Sequence, residues 1–196
     1  MRRILFLMLS LVFLSPLAAS AASATYKIDK DHSTVSFKIR HLFSQVRGNF
    51  RDFEGTIQFD PQDLDASTAE AKIKAESIDT NVEKRDAHLR SKDFFDTAQY
   101  PDITFKGTKF TKKTEQTGTL EGLLSLHGVE KPVILDVEIH GVGKDPWGNT
   151  RAGFTGATNI NRKDFGLNWN ETLETGGVLV GDEVEIILDI EGLLEV

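Results

Sequence analysis

Apolar and polar residues alternate along most of the chain after residue 25. Between residues 35 and 40, for example, Val35, Phe37 and Ile39 are separated by single polar residues. A period of two is typical of a β-strand that buries one face. The same pattern predicts eight strands in all, near residues 35–39, 53–59, 69–75, 103–105, 120–126, 133–139, 152–160 and 184–190.

Most of these predicted strands are joined by short links that are polar or contain glycine or proline, at residues 60–63, 112–115, 127–132 and 144–149. Short links indicate antiparallel neighbours, because a parallel crossover needs a dozen residues or more. Eight such strands with one apolar face each hide that face, and lose their exposed edges, when they close into a ring. We therefore predict an all-β fold, an eight-stranded antiparallel barrel.

Two segments interrupt the alternation. Residues 79–100 show no period of two, and residues 79–81 are of the types that cap helices, so we predict one short helix at about 81–90. Residues 164–181 contain Trp169 and a Gly-Gly pair and predict a long loop before the last strand. Long connections on a rigid barrel are where binding sites usually lie.

The first residues have a different character. Arg2 and Arg3 precede an apolar run at 4–14, which is followed by small residues up to Ala24. This is the pattern of a secretory signal peptide, and the run is too short to span a bilayer. We predict a signal peptide at 1–21, with an alternative end at 24, and a single barrel domain at 22–196. The mature protein is then expected in the periplasm, without stable membrane insertion.

Composition narrows the chemistry. The chain has 23 basic against 30 acidic residues and a net charge of −7, which argues against nucleic acid as a partner. It has no cysteine, and none of its five histidines shows the spacing of paired metal ligands. Because nucleotide-binding and nucleophile motifs are also missing, the sequence favours binding over catalysis, with no metal, no cofactor and no catalytic residue.

The barrel interior has two possible states. An eight-stranded barrel is just wide enough either to be filled by side chains or to hold one slim ligand. The inward stripes mix phenylalanines with glycines and alanines, so both a solid core and a dry cavity for an apolar chain are open at this point. In the second case the predicted ligand-binding lining is Phe37, Ile39, Phe53, Ile57, Phe59, Ala71, Ile73, Ala75, Phe105, Leu124, Leu135, Val137, Phe154, Ile186 and Leu188.

The predicted helix carries the candidate polar contacts of such a ligand: Arg85, Asp86, His88 and Arg90. Arginine suits an anionic head group such as a phosphate, although these side chains can equally form salt bridges with neighbouring acids. Asp86 and His88 also suggest an acid–base pair, and hence an enzyme acting on lipids. Against this pair, residues two apart on a helix point in different directions.

Several longer strings resemble those of one known family: residues 85–95 (RDAHLRSKDFF), 100–105 (YPDITF), 126–133 (LHGVEKPV), 160–167 (INRKDFGL) and 174–184 (ETGGVLVGDEV). They are similar in order and spacing to the YceI-like family. The resemblance implies a lipocalin-like barrel in the periplasm, a hydrophobic tunnel for polyisoprenoid or similar long-chain lipids, and often a homodimer. It also implies a carrier role linked to isoprenoid-quinone handling or stress response, and no agreed catalytic residues.

Overall fold

The computed structural model of the protein describes residues 23–174 and 176–195. These residues form eleven strand segments and one α-helix, together with short 3-10 turns. The elements are β1 (Ala24–Ile28), β2 (Thr34–His41), β3 (Ser44–Phe50), β4 (Phe53–Phe59), β5 (Thr68–Lys74), β6 (Ile78–Asp79), α1 (Glu83–Arg90), β7 (Asp102–Lys112), β8 (Thr117–Leu126), β9 (Val129–Lys144), β10 (Thr150–Asn161) and β11 (Val180–Leu194).

Eight of these segments close into an antiparallel ring in the order β1, β4, β5, β7, β8, β9, β10 and β11. The ring closes where β11 returns to β1, with Tyr26 opposite Leu194. The remaining segments β2, β3 and β6 extend the sheet from the first half of β11. Helix α1 and residues 91–101 connect β6 to β7 at that end. The barrel therefore has a closed end, at which β11 pairs with β1, and an open end, at which α1 lies beside the strands.

Side chains fill the first of these ends. A closed-end cluster contains two edge-to-face aromatic contacts, in which the ring centroids of Phe59 and Phe154 lie 5.1 Å apart and those of Tyr26 and Phe59 lie 6.4 Å apart. Such pairs stabilise slightly beyond the area they bury. The buried members of the closed-end cluster are Tyr26, Phe59, Leu64, Phe110, Leu120, Leu135, Ile139, Ala152 and Phe154.

A second cluster surrounds the interior nearer the helix, and we call it the open-end cluster. It includes Ile78 of β6, which is completely buried, and Phe165 from the 3-10 turn at Arg162–Phe165. Its buried members are Val35, Phe50, Phe53, Ala75, Ile78, Ile103, Leu124, Leu126, Ile160, Phe165 and Leu167.

The eight-stranded antiparallel barrel and the short helix predicted from the sequence are confirmed, with different boundaries. The helix begins at Glu83, and the last strand begins at Val180, inside the predicted loop. The predicted strands did not include β1, β3 or the two-residue β6. In β3 the inward position Gly48 has no side chain because the ring of Phe37 lies on it, so the apolar stripe is interrupted in the sequence.

The predicted signal peptide at 1–21 lies outside the described residues and stays a prediction. The prediction of one domain over 22–196 also stays untested, although the described part of it folds around one ring of strands. Within residues 23–174 and 176–195, no helix is long and apolar enough to cross a membrane.

Candidate functional site

A cavity of about 600 Å³ occupies the half of the barrel interior nearest the helix. Its floor is formed by residues that belong to or pack on the closed-end cluster, among them Ile57, Ala69, Leu120 and Leu135. At its mouth, residues of α1 face the connection between β10 and β11, which contributes Trp169. The volume lies within the range of about 300–1,000 Å³ that is usual for small-molecule sites.

Two glycines help to keep the centre of the barrel empty. A Cβ atom at Gly48 would lie 2.5 Å from the ring of Phe37, and one at Gly122 would lie 2.4 Å from the ring of Phe105. These rings therefore lie against the barrel wall over the glycines, where any other residue would push them inward. The wall stays apolar, and the space between the rings remains open.

Eleven of the fifteen predicted lining residues do line this cavity. They come from seven strands, which shows that the alternation identified the inward face correctly. These residues are Phe37, Ile39, Phe53, Ile57, Ala71, Ile73, Phe105, Leu124, Leu135, Ile186 and Leu188. That they contact a lipid stays a prediction.

The other four predicted lining residues lie outside the cavity, and the prediction was wrong for them. Phe59, Val137 and Phe154 do face inward, but they pack in or against the closed-end cluster below the cavity floor. Ala75 is 1% exposed and lies in the 3-10 turn Ala75–Ser77, because β5 has already ended at Lys74.

The mouth contains lining residues that the sequence did not identify. The aromatic rings of His88, Phe94 and Trp169 pack against one another, with centroid distances between 4.9 and 5.1 Å. Phe94 and Trp169 lie in irregular segments, where no periodicity could assign an inward face. The aromatic surface they form with His88 borders the cavity where it opens to solvent.

Of the four predicted polar contacts, Arg85 and His88 line the cavity and Asp86 and Arg90 do not. Asp86 is only 3% exposed, and its Oδ1 accepts hydrogen bonds from the backbone N–H and the hydroxyl of Thr80. Arg90 donates to the carbonyl oxygens of Glu76 and Ile78. Asp86 and Arg90 therefore hold α1 against the end of β6 and lie outside the cavity lining, and a ligand contact of either residue stays a prediction.

The acid–base pair suggested from the sequence does not form. His88 Nε2 lies 2.9 Å from Oδ2 of Asp93, whereas the carboxylate of Asp86 is bound to Thr80. These hydrogen bonds hold the carboxylate of Asp86 outside the cavity lining. A reaction that uses Asp86 and His88 together has no geometric support.

A buried arginine fixes the loop at the mouth. Arg162 is 3% exposed, and its guanidinium donates to the carbonyl oxygens of Gly181 at 2.8 Å, Trp169 at 2.9 Å and Leu167. Burial lowers the pKa of Arg162, and Asp182 partly opposes this shift. Because one side chain binds both ends of the loop, the loop keeps Trp169 at the rim of the cavity.

One group of possible metal ligands lies away from the cavity. Asp29, His32 and Glu191 place ligand atoms within 4.8 Å of one another. Nη1 of Arg151, however, donates to Oδ2 of Asp29 at 2.7 Å and also to Glu191. Since the guanidinium already balances these carboxylates, the group is an ion-pair network, and it carries no argument for a metal.

The fold and the site together define a class of protein, an antiparallel β-barrel that encloses an apolar cavity open at one end. A model of the YceI-like domain matches residues 26–192, and the chain belongs to this family. Protein YceI of Escherichia coli O157:H7 is 42% identical to it over 179 residues, which cover 90% of each protein.

Solved structures have the same architecture. The crystal structure of a YCEI protein from Campylobacter jejuni is similar with a TM-score of 0.71 and 34% sequence identity, covering 81% of this chain and 91% of that one. A polyisoprenoid binding domain from Saccharophagus degradans, implicated in plant cell wall breakdown, is similar with a TM-score of 0.65 and 16% identity, covering 88% and 99%. At that identity the second likeness shows the fold alone.

Proposed function

We propose that the protein binds the hydrocarbon chain of an isoprenoid or a similar long-chain lipid in its barrel cavity. The observation that carries this proposal is the apolar lining of a cavity of about 600 Å³ between the closed-end cluster and the mouth. Each buried CH₂ group contributes about 0.8 kcal/mol of binding free energy, part of which is lost in ordering the chain. The binding of polyisoprenoid by the Saccharophagus domain, which has the same fold, supports this choice of ligand.

The lipid enters with its tail first, because the floor of the cavity is apolar and the basic lining residues Lys84, Arg85 and Arg162 are near the mouth. The acidic residue Glu70, beside the floor residue Ala69, has an exposed side chain that pairs with Lys106. Arg85 holds Thr80 through Nε and Nη2, at 2.7 Å to the hydroxyl and 2.9 Å to the carbonyl oxygen, and its remaining Nη1 is available to a ligand. Lys84 and His88 stand beside it in the lining. These donors suit a head group that presents oxygen atoms, such as a quinone or a phosphate.

The biological role proposed here is that of a periplasmic carrier or reservoir rather than an enzyme. The N-terminal sequence supports export, and the separation of Asp86 from the cavity argues against the enzymatic alternative. A link to isoprenoid-quinone handling or to stress response is part of the same proposal, and the resemblance to the YceI-like family suggested it.

Native mass spectrometry of the purified protein tests the proposal. We expect a co-purified lipid, and after its removal by organic extraction we expect the protein to take up geranylgeraniol. Trp169 provides a second readout, because Trp147→Phe leaves it as the single tryptophan, at the rim of the cavity. Absence of a bound lipid, together with an emission spectrum that geranylgeraniol leaves unchanged, would refute the proposal.

A further inference from the structure

The hairpin that joins β2 to β3 projects at the mouth of the cavity. Its two-residue turn consists of Leu42 and Phe43, and its strands contribute His41 and Val46 to the cavity lining. The backbone N–H of Leu42 donates to the carbonyl oxygen of Leu179, at the end of the loop that leads into the neighbouring strand β11, at 2.9 Å. The turn therefore marks the edge of the opening.

The residues of this turn are not those that would favour folding of the hairpin. Leu42 has a φ of +50°, in the left-handed region that favours glycine and asparagine, and two-residue hairpin turns are usually Asn-Gly. The other three non-glycine residues with positive φ among the described residues are Asn81, Asp96 and His127, which tolerate that conformation better. Phe43 is fully exposed to solvent. Strained or exposed residues that the fold does not need point to a function.

The charge of the hairpin is opposite to that of the protein. Residues 34–50 include Lys38, Arg40 and Arg47 and no acidic residue, although the net charge of the chain is −7. Lys38 is paired with Glu185. Within the residues that the structure describes, neither Arg40 nor Arg47 forms an ion pair, and both are exposed on the outer face of the hairpin.

We propose that the β2–β3 hairpin docks the protein on an anionic lipid bilayer, with Phe43 inserted below the head groups and Arg40 and Arg47 bound to them. A basic surface with an apolar tip is the chemistry of peripheral membrane binding, in which each basic residue near the surface adds to the attraction. Docking in this orientation places the mouth of the cavity on the membrane. This inference rests on the proposed function for its purpose, since a lipid could then pass directly between bilayer and barrel.

Co-sedimentation with vesicles tests the docking. The vesicles are made either of phosphatidylcholine alone or with one third phosphatidylglycerol, and every variant has the same N-terminus as the wild type. The matched control is Trp147→Ser, because Trp147 is also an exposed aromatic residue in a hairpin turn, between β9 and β10 at the closed end of the barrel.

We expect the wild type to bind the anionic vesicles, and to bind them more weakly as salt rises. Phe43→Ser removes the ring that inserts into the bilayer, and this weakens vesicle binding by about tenfold or more. Replacing both Arg40 and Arg47 by glutamine removes the preference for anionic vesicles, and Trp147→Ser binds like the wild type. Equal binding of Phe43→Ser and wild type, or an equal loss in Trp147→Ser, would overturn the inference.

Native mass spectrometry of the same variants separates this inference from the proposed function. Phe43→Ser should still carry lipid when the lipid is supplied in detergent, because Phe43 is outside the cavity lining. If no variant ever carries lipid while docking behaves as described, the proposed function fails and the docking surface stands. If all variants carry lipid but Phe43→Ser docks normally, the docking surface fails alone.

Discussion

Replacing Ala71 by phenylalanine distinguishes an open cavity from a filled core. Ala71 lies on β5 opposite Gly55 and Phe105, and its methyl group faces the cavity. Ala75 provides the matched control four residues further along the chain. It is 1% exposed within the open-end cluster, and its backbone N–H donates to the carbonyl oxygen of Pro101. The same substitution therefore adds a phenyl ring to empty space at one position and to occupied space at the other.

The two variants should differ in stability. A phenyl ring that enters the cavity from residue 71 leaves water on folding, and full burial of phenylalanine contributes about 1.5–3 kcal/mol. Part of this is offset by lost side-chain freedom, so we expect a free energy of unfolding equal to or above that of the wild type. At residue 75 overpacking costs about 1–3 kcal/mol. The free energies of unfolding of the two variants should thus differ by at least about 1 kcal/mol.

Urea denaturation followed by circular dichroism measures the stability of the lipid-free proteins, and native mass spectrometry measures the lipid that each carries. Ala71→Phe should keep its stability and lose its lipid, because the ring fills the space that the chain needs. Ala75→Phe should lose stability and retain lipid under conditions where it is folded. If Ala71→Phe is destabilised as much as Ala75→Phe, the interior is already filled and the reasoning about the cavity is refuted.

Three further substitutions test other parts of the structure. Asp86→Ala should lower the free energy of unfolding by about 1–3 kcal/mol in urea denaturation, because it leaves the buried donors of Thr80 unsatisfied. Phe154→Ala should cost about 3–5 kcal/mol in the same assay and extend the cavity floor towards the closed end in a crystal structure. Arg151→Met removes the hydrogen bond that is the main cause of the fall in the pKa of Asp29 from 3.8 to about 2. Because Asp29 stabilises the fold above its unfolded pKa, and this contribution is lost as the pH falls through its folded pKa, the stability of the variant should depend less on pH between about 4 and 2. An equally steep acid dependence in wild type and variant would contradict that assignment.

The fold was predictable from the sequence because one physical constraint, an apolar inner face, repeats in most strands of the wall. The same constraint does not indicate how deep in the barrel a given inward residue lies. Ile57 and Phe59 belong to one inward stripe of β4, yet Ile57 lines the cavity and Phe59 packs below its floor. The depth of a residue depends on strand stagger and on what fills the closed end, neither of which the alternation contains.

Polar residues of the site were harder to assign than apolar ones. In the sequence Asp86 is a charged residue on a short polar helix and resembles a ligand contact, but the structure buries it against Thr80. Whether such a side chain is buried or faces the cavity depends on a partner six residues away, and no local pattern in the sequence specifies that pairing. Trp169 was missed for a related reason, since the buried Arg162 rather than any periodicity holds its loop at the mouth.

The two ends of the barrel separate stability from binding. A barrel that keeps a cavity forgoes the packing of that volume, and the stability has to come from elsewhere in the structure. Here the aromatic contacts of Phe59 with Tyr26 and Phe154 fill the closed end, where the ring of strands is continuous. The open end, which contains the cavity, is instead fixed by hydrogen bonds that Arg162 donates to the loop and that Asp86 of α1 accepts from Thr80. Substitutions that change the cavity wall can therefore alter binding while the closed end maintains the fold.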